Sequence, residues 1–429
     1  MKKRGLLLIL ISIIACTFLY LTAKPSPYFV LQSSLSAATQ ITALWGMVLF
    51  TITFFLSSRF NFLESIFGPL DKIYKLHQVI ARFTVVFLIL HVLFLILNSI
   101  DNSKMLSRVV LPSSILSFNL GIFSLWSLIV TISVIIYAKI EYQWFVRIQR
   151  LFIIPLVLGI AHMLLIKSDS SRYLPLTIFL VFFAFLGFIS WFYRVFLYSR
   201  FGPKFKYSIN SFQMLSDDVF EITLKPEGKK INFQPGQFVY IEFDAPDIPN
   251  ELHPFSICSS PKDDNLRFIV KTYGSFTNHM RLLRTGDSAV VFGPYGFLGR
   301  YFLKATDAVC IAGGIGVTPF LSMVNYLEDH KDFLKKVSIF YCAKDEHDAI
   351  FKEELNDKAK VLPNLNLECL TTEKNGLLKA EAVKDYVGEL KDKVFFLCGP
   401  APMMKSLSKQ LRAIGVPSGK IVYEDFDYR

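Results

Sequence analysis

Residues 76–98 read LHQVIARFTVVFLILHVLFLILN, with Arg82 the only charge apart from two histidines. A helix of about 20 apolar residues crosses a hydrocarbon core of roughly 30 Å, so this stretch reads as a membrane span. Five further runs qualify, at about 5–22, 35–57, 116–138, 148–166 and 174–193. The 429-residue chain agrees: 52% of it is apolar, 42 residues are Phe, and no single soluble domain is this long and this apolar. The first run follows MKKR as a signal peptide does, but Lys24-Pro25-Ser26 offers no small-residue cleavage site, so it is read as the first of six spans.

Basic residues near the helix ends set the orientation. One side holds thirteen, from Lys2, Lys3 and Arg4 through Arg59, Lys72, Lys75, Lys139, Arg147, Arg150 and Arg194 to Arg200, Lys204 and Lys206. The other holds Lys24, Lys104, Arg108, Lys167 and Arg172. The positive-inside rule places both termini in the cytoplasm of a multi-pass cell-membrane protein. It also accounts for part of the net charge of +11, and no basic helix interleaved with aromatic residues points to nucleic acid. The six cysteines (16, 258, 310, 342, 369, 398) show no metal spacing, and structural disulfides are not expected in the cytoplasmic part.

Ionisable groups inside a membrane are costly and mark function. His77 and His91 are 14 residues apart, close to four helical turns, so they project to roughly one side about 21 Å apart along the axis. Imidazoles stacked that way suit one haem iron each, one near either membrane face. Helix 5, QWFVRIQRLFIIPLVLGIAHMLL, supplies His162 to face His91. The position opposite His77 falls at Gln149, with Pro155 expected to bend the helix between Gln149 and His162. Arg82, one turn above His77, suits a haem propionate. The bland alternative is buried polar residues hydrogen-bonding across the bundle.

After Arg200 the text changes to short alternating strands, Gly/Pro turns and charged loops, a soluble region of about 220 residues. Its first part, with VFEITLKP, QFVYIEF, LRFIVKTY and SAVVFGPYG, reads as a small antiparallel β-barrel. His253-Pro254-Phe255-Ser256 opens one strand; an aromatic beside a hydroxyl there can stack on a flat ring and bond its polar edge. Lys271, Gly274 and Thr277 bring the cation, bare backbone and hydroxyl that a pyrophosphate needs. The last 125 residues alternate strand and helix, a doubly wound α/β pattern. Its first strand ends in Gly313-Gly314-Ile315-Gly316-Val317-Thr318-Pro319, where bare backbone and a helix start receive a phosphate. Cys398-Gly399-Pro400 ends a later strand at the ligand-binding edge. Lys344, just past VSIFYCA, lies where a cation of this fold meets a ribose 2′-phosphate.

The ordered set PGQ, HPFS, KxxGxxT, GPYG, GGxGxTP, CGP and an acidic-aromatic tail resembles the ferredoxin-NADP reductase superfamily. With six helices attached, nearly the whole chain resembles the NADPH oxidase and ferric reductase family, its compact bacterial members especially. The resemblance implies a six-helix haem domain (1–200), an FAD-binding barrel (201–305) and an NAD(P)-binding α/β domain (306–429). It implies His91 and His162 on an outer b-type haem and His77 on an inner one; Gln149 stands where the family has the second inner histidine. Phe255 and Ser256 would cradle the isoalloxazine of FAD, with Lys271, Gly274 and Thr277 on its pyrophosphate. Gly314, Gly316, Thr318 and Pro319 would hold the dinucleotide, Cys398 would lie near the nicotinamide, and Phe426 would cover the flavin. NADPH, or NADH, would then reduce an acceptor outside: dioxygen, ferric iron or a quinone. No calcium-binding extension and no obligatory protein partner is evident. A nucleotide-gated transporter is disfavoured, since no broken helix pair or acidic residue suits cation transport; a cytoplasmic reductase merely anchored by its helices is the other alternative.

Overall fold

The computed structural model describes residues 3–24, 33–138, 142–198, 202, 204–330 and 335–424. The chain forms two compact units, Met1–Phe201 and Gly202–Arg429.

Among the described residues, six helices of the first unit are long and apolar enough to cross a membrane. They are α1 (Lys3–Thr22), α2 (Ser34–Ser57), α3 (Leu70–Ser99), α4 (Leu116–Tyr137), a composite α5, and α6 (Leu174–Phe192), which runs on into a π-helical turn at Tyr193–Leu197. The composite α5 consists of Tyr142–Gln149, a 3-10 turn at Arg150–Phe152, and Ile153–Leu165. The central helix is α2, 72% of whose most apolar window is buried against 11% for α3. It packs on both α3 and α6, while α4 packs on α5. Small residues permit the close approaches: Gly46 lies under Leu88, and Gly187 under Thr51. Trp45 Nε1 donates to Thr17 Oγ1 at 2.9 Å and ties α2 to α1.

On α3 the exposed apolar residues Val79, Phe83, Val86, Leu93 and Leu97 form one stripe. At about 100° per residue this stripe centres opposite His77 and His91, so it is the lipid face and the histidines look inward. Arg82 is exposed with that stripe. Five residues turn a helix by about 500°, which leaves Arg82 some 140° from His77 and corrects the expected propionate role.

The second unit begins with six antiparallel strands: β1 (Lys204–Met214), β2 (Val219–Pro226), β3 (Phe238–Asp244), β4 (His253–Ser256), β5 (Leu266–Lys271) and β6 (Ser288–Tyr295). Their order is β4-β3-β6-β1-β2-β5, and the edge strands β4 and β5 approach each other to give a nearly closed barrel. Alternation fills it: Phe220, Ile222 and Leu224 of β2 point in, with Val239, Ile241 and Phe243 of β3. The α/β part is a parallel sheet of β7 (Asp307–Gly313), β8 (Lys336–Ala343), β9 (Leu365–Thr371), β10 (Lys393–Cys398) and β11 (Ile421–Tyr423) in the order β11-β10-β7-β8-β9. Helices α7 (Thr318–Asp329), α8 (Lys352–Val361) and α9 (Ala401–Ala413) cover it. Polar links join barrel to sheet: Ser322 Oγ donates to the Ser259 carbonyl (2.8 Å), Asn325 Nδ2 to that of Cys258 (3.0 Å), and Arg267 of β5 reaches Glu354 of α8.

Candidate functional site

Each membrane histidine is oriented by a backbone carbonyl. His77 Nδ1 lies 2.9 Å from the Thr53 carbonyl, His91 Nδ1 2.9 Å from that of Thr39, and His162 Nδ1 2.6 Å from that of Ser117. A carbonyl only accepts, so Nδ1 carries the hydrogen and Nε2 is left with its lone pair. That is the tautomer of a metal-ligating imidazole steadied from behind. The helices that bear His91 and His162 do not pack together: α3 rests on α2, and α5 on α4. His91 and His162 are the residues that would hold a haem iron through Nε2, were one bound here. Among the described residues no cluster of three or more His, Cys, Asp or Glu forms, and haem, which brings four nitrogens of its own, needs none.

Helix α5 is re-phased on the way to His162. Pro155 has no N–H and its ring crowds the carbonyl four residues back, at Leu151. The helix tightens into 3-10 geometry over Arg150–Phe152, a turn before the bend expected at Pro155 itself. The Arg150 carbonyl accepts from Trp191 Nε1 at 3.0 Å, and the Pro155 carbonyl from Ser124 Oγ at 2.8 Å, so α6 and α4 hold the irregular turn in place. Gln149 is exposed just before it.

In the second unit, β4 carries the HPFS motif, with Pro254, Phe255 and Ser256 paired to Tyr240, Val239 and Phe238 of β3. The motif's outer edge is half-buried. His253 stacks on Phe276, centroids 3.7 Å apart, and its Nε2 bonds Glu251 at 2.6 Å. Burial holds the His253 pKa below its ordinary value despite Glu251, so the neutral ring donates Nε2–H to the carboxylate. Lys271 sits 3.1 Å from Asp218 and 3.8 Å from Asp348, and so bridges the barrel to the loop after β8. Gly274 has φ 87°, and Thr277 Oγ1 accepts from the Tyr273 amide at 2.7 Å to close the turn.

The strand-end glycines divide into two kinds. Gly313 is covered by Met403 and Pro400, a side chain at Gly316 would collide with the Cys398 carbonyl, and one at Gly399 would meet the Gly313 backbone. These three let the ends of β7 and β10 interlock. Gly314, at φ 53°, has nothing within 4 Å of a side-chain position, and the same holds for Gly274. Those two present bare backbone to open space, as a pyrophosphate requires. Thr318 and Pro319 start α7, Pro319 in its first turn. Lys344 is exposed just past β8, two residues beyond Cys342, which pairs with Gly313. Cys398 is buried, and burial above all pushes its thiol up to about 12, with nearby Glu424 adding to the shift. It is a neutral thiol rather than a nucleophile. Pro400 caps α9. Phe426 lies outside the described residues.

Two features had no sequence motif. Glu424 is buried, and its carboxylate accepts from the amides of Phe297 (2.6 Å) and Leu298 (3.4 Å), docking the chain after β11 beside the barrel. The acidic-aromatic tail was the available signal, and nothing in it singles out Glu424 from Asp425 and Asp427. Arg267 bonds Glu354 through both terminal nitrogens, at 2.6 and 2.9 Å, and Glu221 through Nε at 2.7 Å.

A membrane bundle with inward-facing histidines, a nearly closed antiparallel barrel and a parallel α/β sheet are the parts of a transmembrane flavin-dependent oxidoreductase. Residues 42–160 match the family described as ferric reductase like transmembrane component, 204–296 an FAD-binding domain, and 310–409 an oxidoreductase NAD-binding domain. These three matches, in this order along the chain, make up the architecture of the NADPH oxidase and ferric reductase family. Among curated relatives, the reductase component of propane 2-monooxygenase from Mycolicibacterium smegmatis is 26% identical over 225 residues, 49% of this chain and 64% of that protein. The human oxidoreductase NAD-binding domain-containing protein 1 is 27% identical over 240 residues, 49% of this chain and 75% of its own length. The flavohemoglobin of Malassezia yamatoensis, crystallised with FAD and heme, aligns with a TM-score of 0.50 at 17% identity, over 92% of this chain and 97% of its own. At that identity the likeness is one of fold.

Proposed function

We propose that the protein takes hydride from cytoplasmic NADPH, or NADH, and delivers single electrons through b-type haem to dioxygen on the outer face of the cell membrane, giving superoxide. The balance is one NAD(P)H and two O2 to one NAD(P)+, two superoxide and one proton. The observation that carries this reading is the set of three Nε2 lone pairs, each imidazole held from Nδ1 by a backbone carbonyl of the helix packed beside its own. When bound, FAD splits the hydride's electron pair and haem passes electrons one at a time.

The chain's own residues bind and orient. Phe255 and Ser256 face the isoalloxazine; Lys271, Gly274 and Thr277 take the FAD pyrophosphate, for which Lys271 must turn from Asp218 and Asp348. Gly314, with Thr318 and Pro319 at the start of α7, receives the nicotinamide dinucleotide over strand ends that Gly313 and Gly316 allow to close, and Lys344 receives its 2′-phosphate. Cys398, with Gly399 and Pro400, lines the nicotinamide position as an uncharged thiol that adds no negative charge beside the departing hydride. Phe426 covers the flavin until nicotinamide displaces it. His91 and His162 hold the outer haem and His77 the inner. The thirteen basic residues on one side support cytoplasmic termini. A second reading, reduction of ferric iron outside the cell by the same path, is favoured by the description of the matched transmembrane family.

The test is an absorption spectrum of the purified full chain, oxidised and after NADPH, with a superoxide-dismutase-sensitive cytochrome c assay. A Soret band that sharpens on reduction and falls in His91→Ala and His162→Ala is expected. Flavin absorbance alone would overturn the haem path, and haem reduction without superoxide would move the acceptor to ferric iron or a quinone.

A further inference from the structure

The 3-10 turn in α5 does more than accommodate Pro155. From position 149 to His162, ten α-helical steps of about 1.5 Å and three 3-10 steps of about 2.0 Å sum to about 21 Å. The fourteen α-helical steps from His77 to His91 also sum to about 21 Å. An unbroken helix would give about 19.5 Å and leave position 149 some 140° from the direction of His162. The three 3-10 residues, at about 120° each, reduce that angle to about 80°. Depth and direction are thus both corrected toward those of His77, and the Trp191 and Ser124 hydrogen bonds fix the turn that does it. By this count position 149 comes to the depth of His77, and it holds Gln149, which is exposed. An amide lacks the imidazole's basic lone pair and is a poor iron ligand.

We propose that position 149 is the second ligand position of the inner haem site, and that Gln149 leaves the iron held by His77 with an open coordination position for small exogenous ligands. Those are carbon monoxide on the ferrous iron and imidazole or cyanide on the ferric. This rests on the haem reading above and is separable from it.

The experiment uses the full chain in detergent. Haem is counted by pyridine haemochrome, and carbon monoxide difference spectra are recorded on dithionite-reduced wild type, Gln149→His and Gln149→Leu. About two haems per chain, with carbon monoxide shifting about half of the Soret absorbance, are expected in wild type. Gln149→His should abolish the shift and convert a high-spin to a low-spin signal. Gln149→Leu, which cannot ligate, should keep the shift, so a misfolded histidine variant does not decide the matter alone. Two haems with no carbon monoxide shift would overturn the inference while leaving the haem reading intact, as would one low-spin haem per chain. No haem at all would overturn both.

Discussion

Arg267 ties the barrel to the nucleotide sheet through two hydrogen bonds to Glu354, and its removal has a calculable cost. Its guanidinium grips Glu354 with two nitrogens and Glu221 with the third, and the three side chains are 24%, 28% and 20% exposed. Burial works against its charge, but Glu354 and then Glu221 outweigh it and hold its pKa above even the ordinary arginine range. Arg267→Ala strands two partly buried carboxylates that face each other across the gap. Breaking a fully buried pair costs about 3–5 kcal/mol, and partial solvent access reduces this to about 2 kcal/mol here. For a unit of this size about 2–4 °C of melting temperature accompany each kcal/mol, so a fall of about 4–8 °C is expected. The assay is thermal release of FAD fluorescence from the full chain, with Arg267→Lys recovering only part of the loss because a point charge cannot bond both acids in the fork geometry. A double-mutant cycle with Glu354→Gln should show coupling, since the two side chains are in contact. A melting temperature within about 1 °C of wild type in Arg267→Ala would refute the reasoning.

His253 is held below its ordinary pKa of 6.5 by burial, so the unfolded chain binds the proton more readily. The stability His253 contributes is complete above 6.5 and is lost as pH falls from there toward its folded value. His253→Phe, which keeps the ring stack on Phe276, should flatten the slope of FAD-release temperature between about pH 7 and 5; an unchanged slope sinks the assignment. Lys344→Ala should lower the NADPH to NADH ratio of kcat/KM, and an unchanged ratio would remove Lys344 from the 2′-phosphate site. Phe426→Ser should alter nucleotide affinity and turnover while leaving the haem spectrum alone; a variant matching wild type in both would leave the tail no gating role. Glu424→Gln keeps the shape but weakens the acceptor for the Phe297 and Leu298 amides, with a stability loss of about 1–2 kcal/mol expected by thermal FAD release; no loss would mean the carboxylate does not dock the segment.

The sequence by itself determined the parts whose signal is local. A span such as 76–98 must be helical because lipid offers its backbone no other partners, and the alternation in VFEITLKP, or the short apolar run in DAVCIAGG, names a strand before any partner is known. The motifs HPFS, KxxGxxT, GGxGxTP and CGP likewise marked strands, strand ends and tight turns, since each needs a turn chemistry that few residues supply. Strands β9 and β11 passed unread because their text is short or mixed, and only pairing to β8 and β10 makes them strands. The tertiary structure alone decided how each histidine is presented, for the groups that orient them are main-chain carbonyls of Thr39, Thr53 and Ser117, which have no letter in a sequence. It decided that Gly314 and Gly274 face open space while Gly313, Gly316 and Gly399 serve packing, because the same residue meets a different neighbour in each place. It turned Arg82 away from the histidine face, a matter of 100° per residue, and gave α5 a 3-10 turn that a proline foreshadows but only the hydrogen bonds from α4 and α6 can hold.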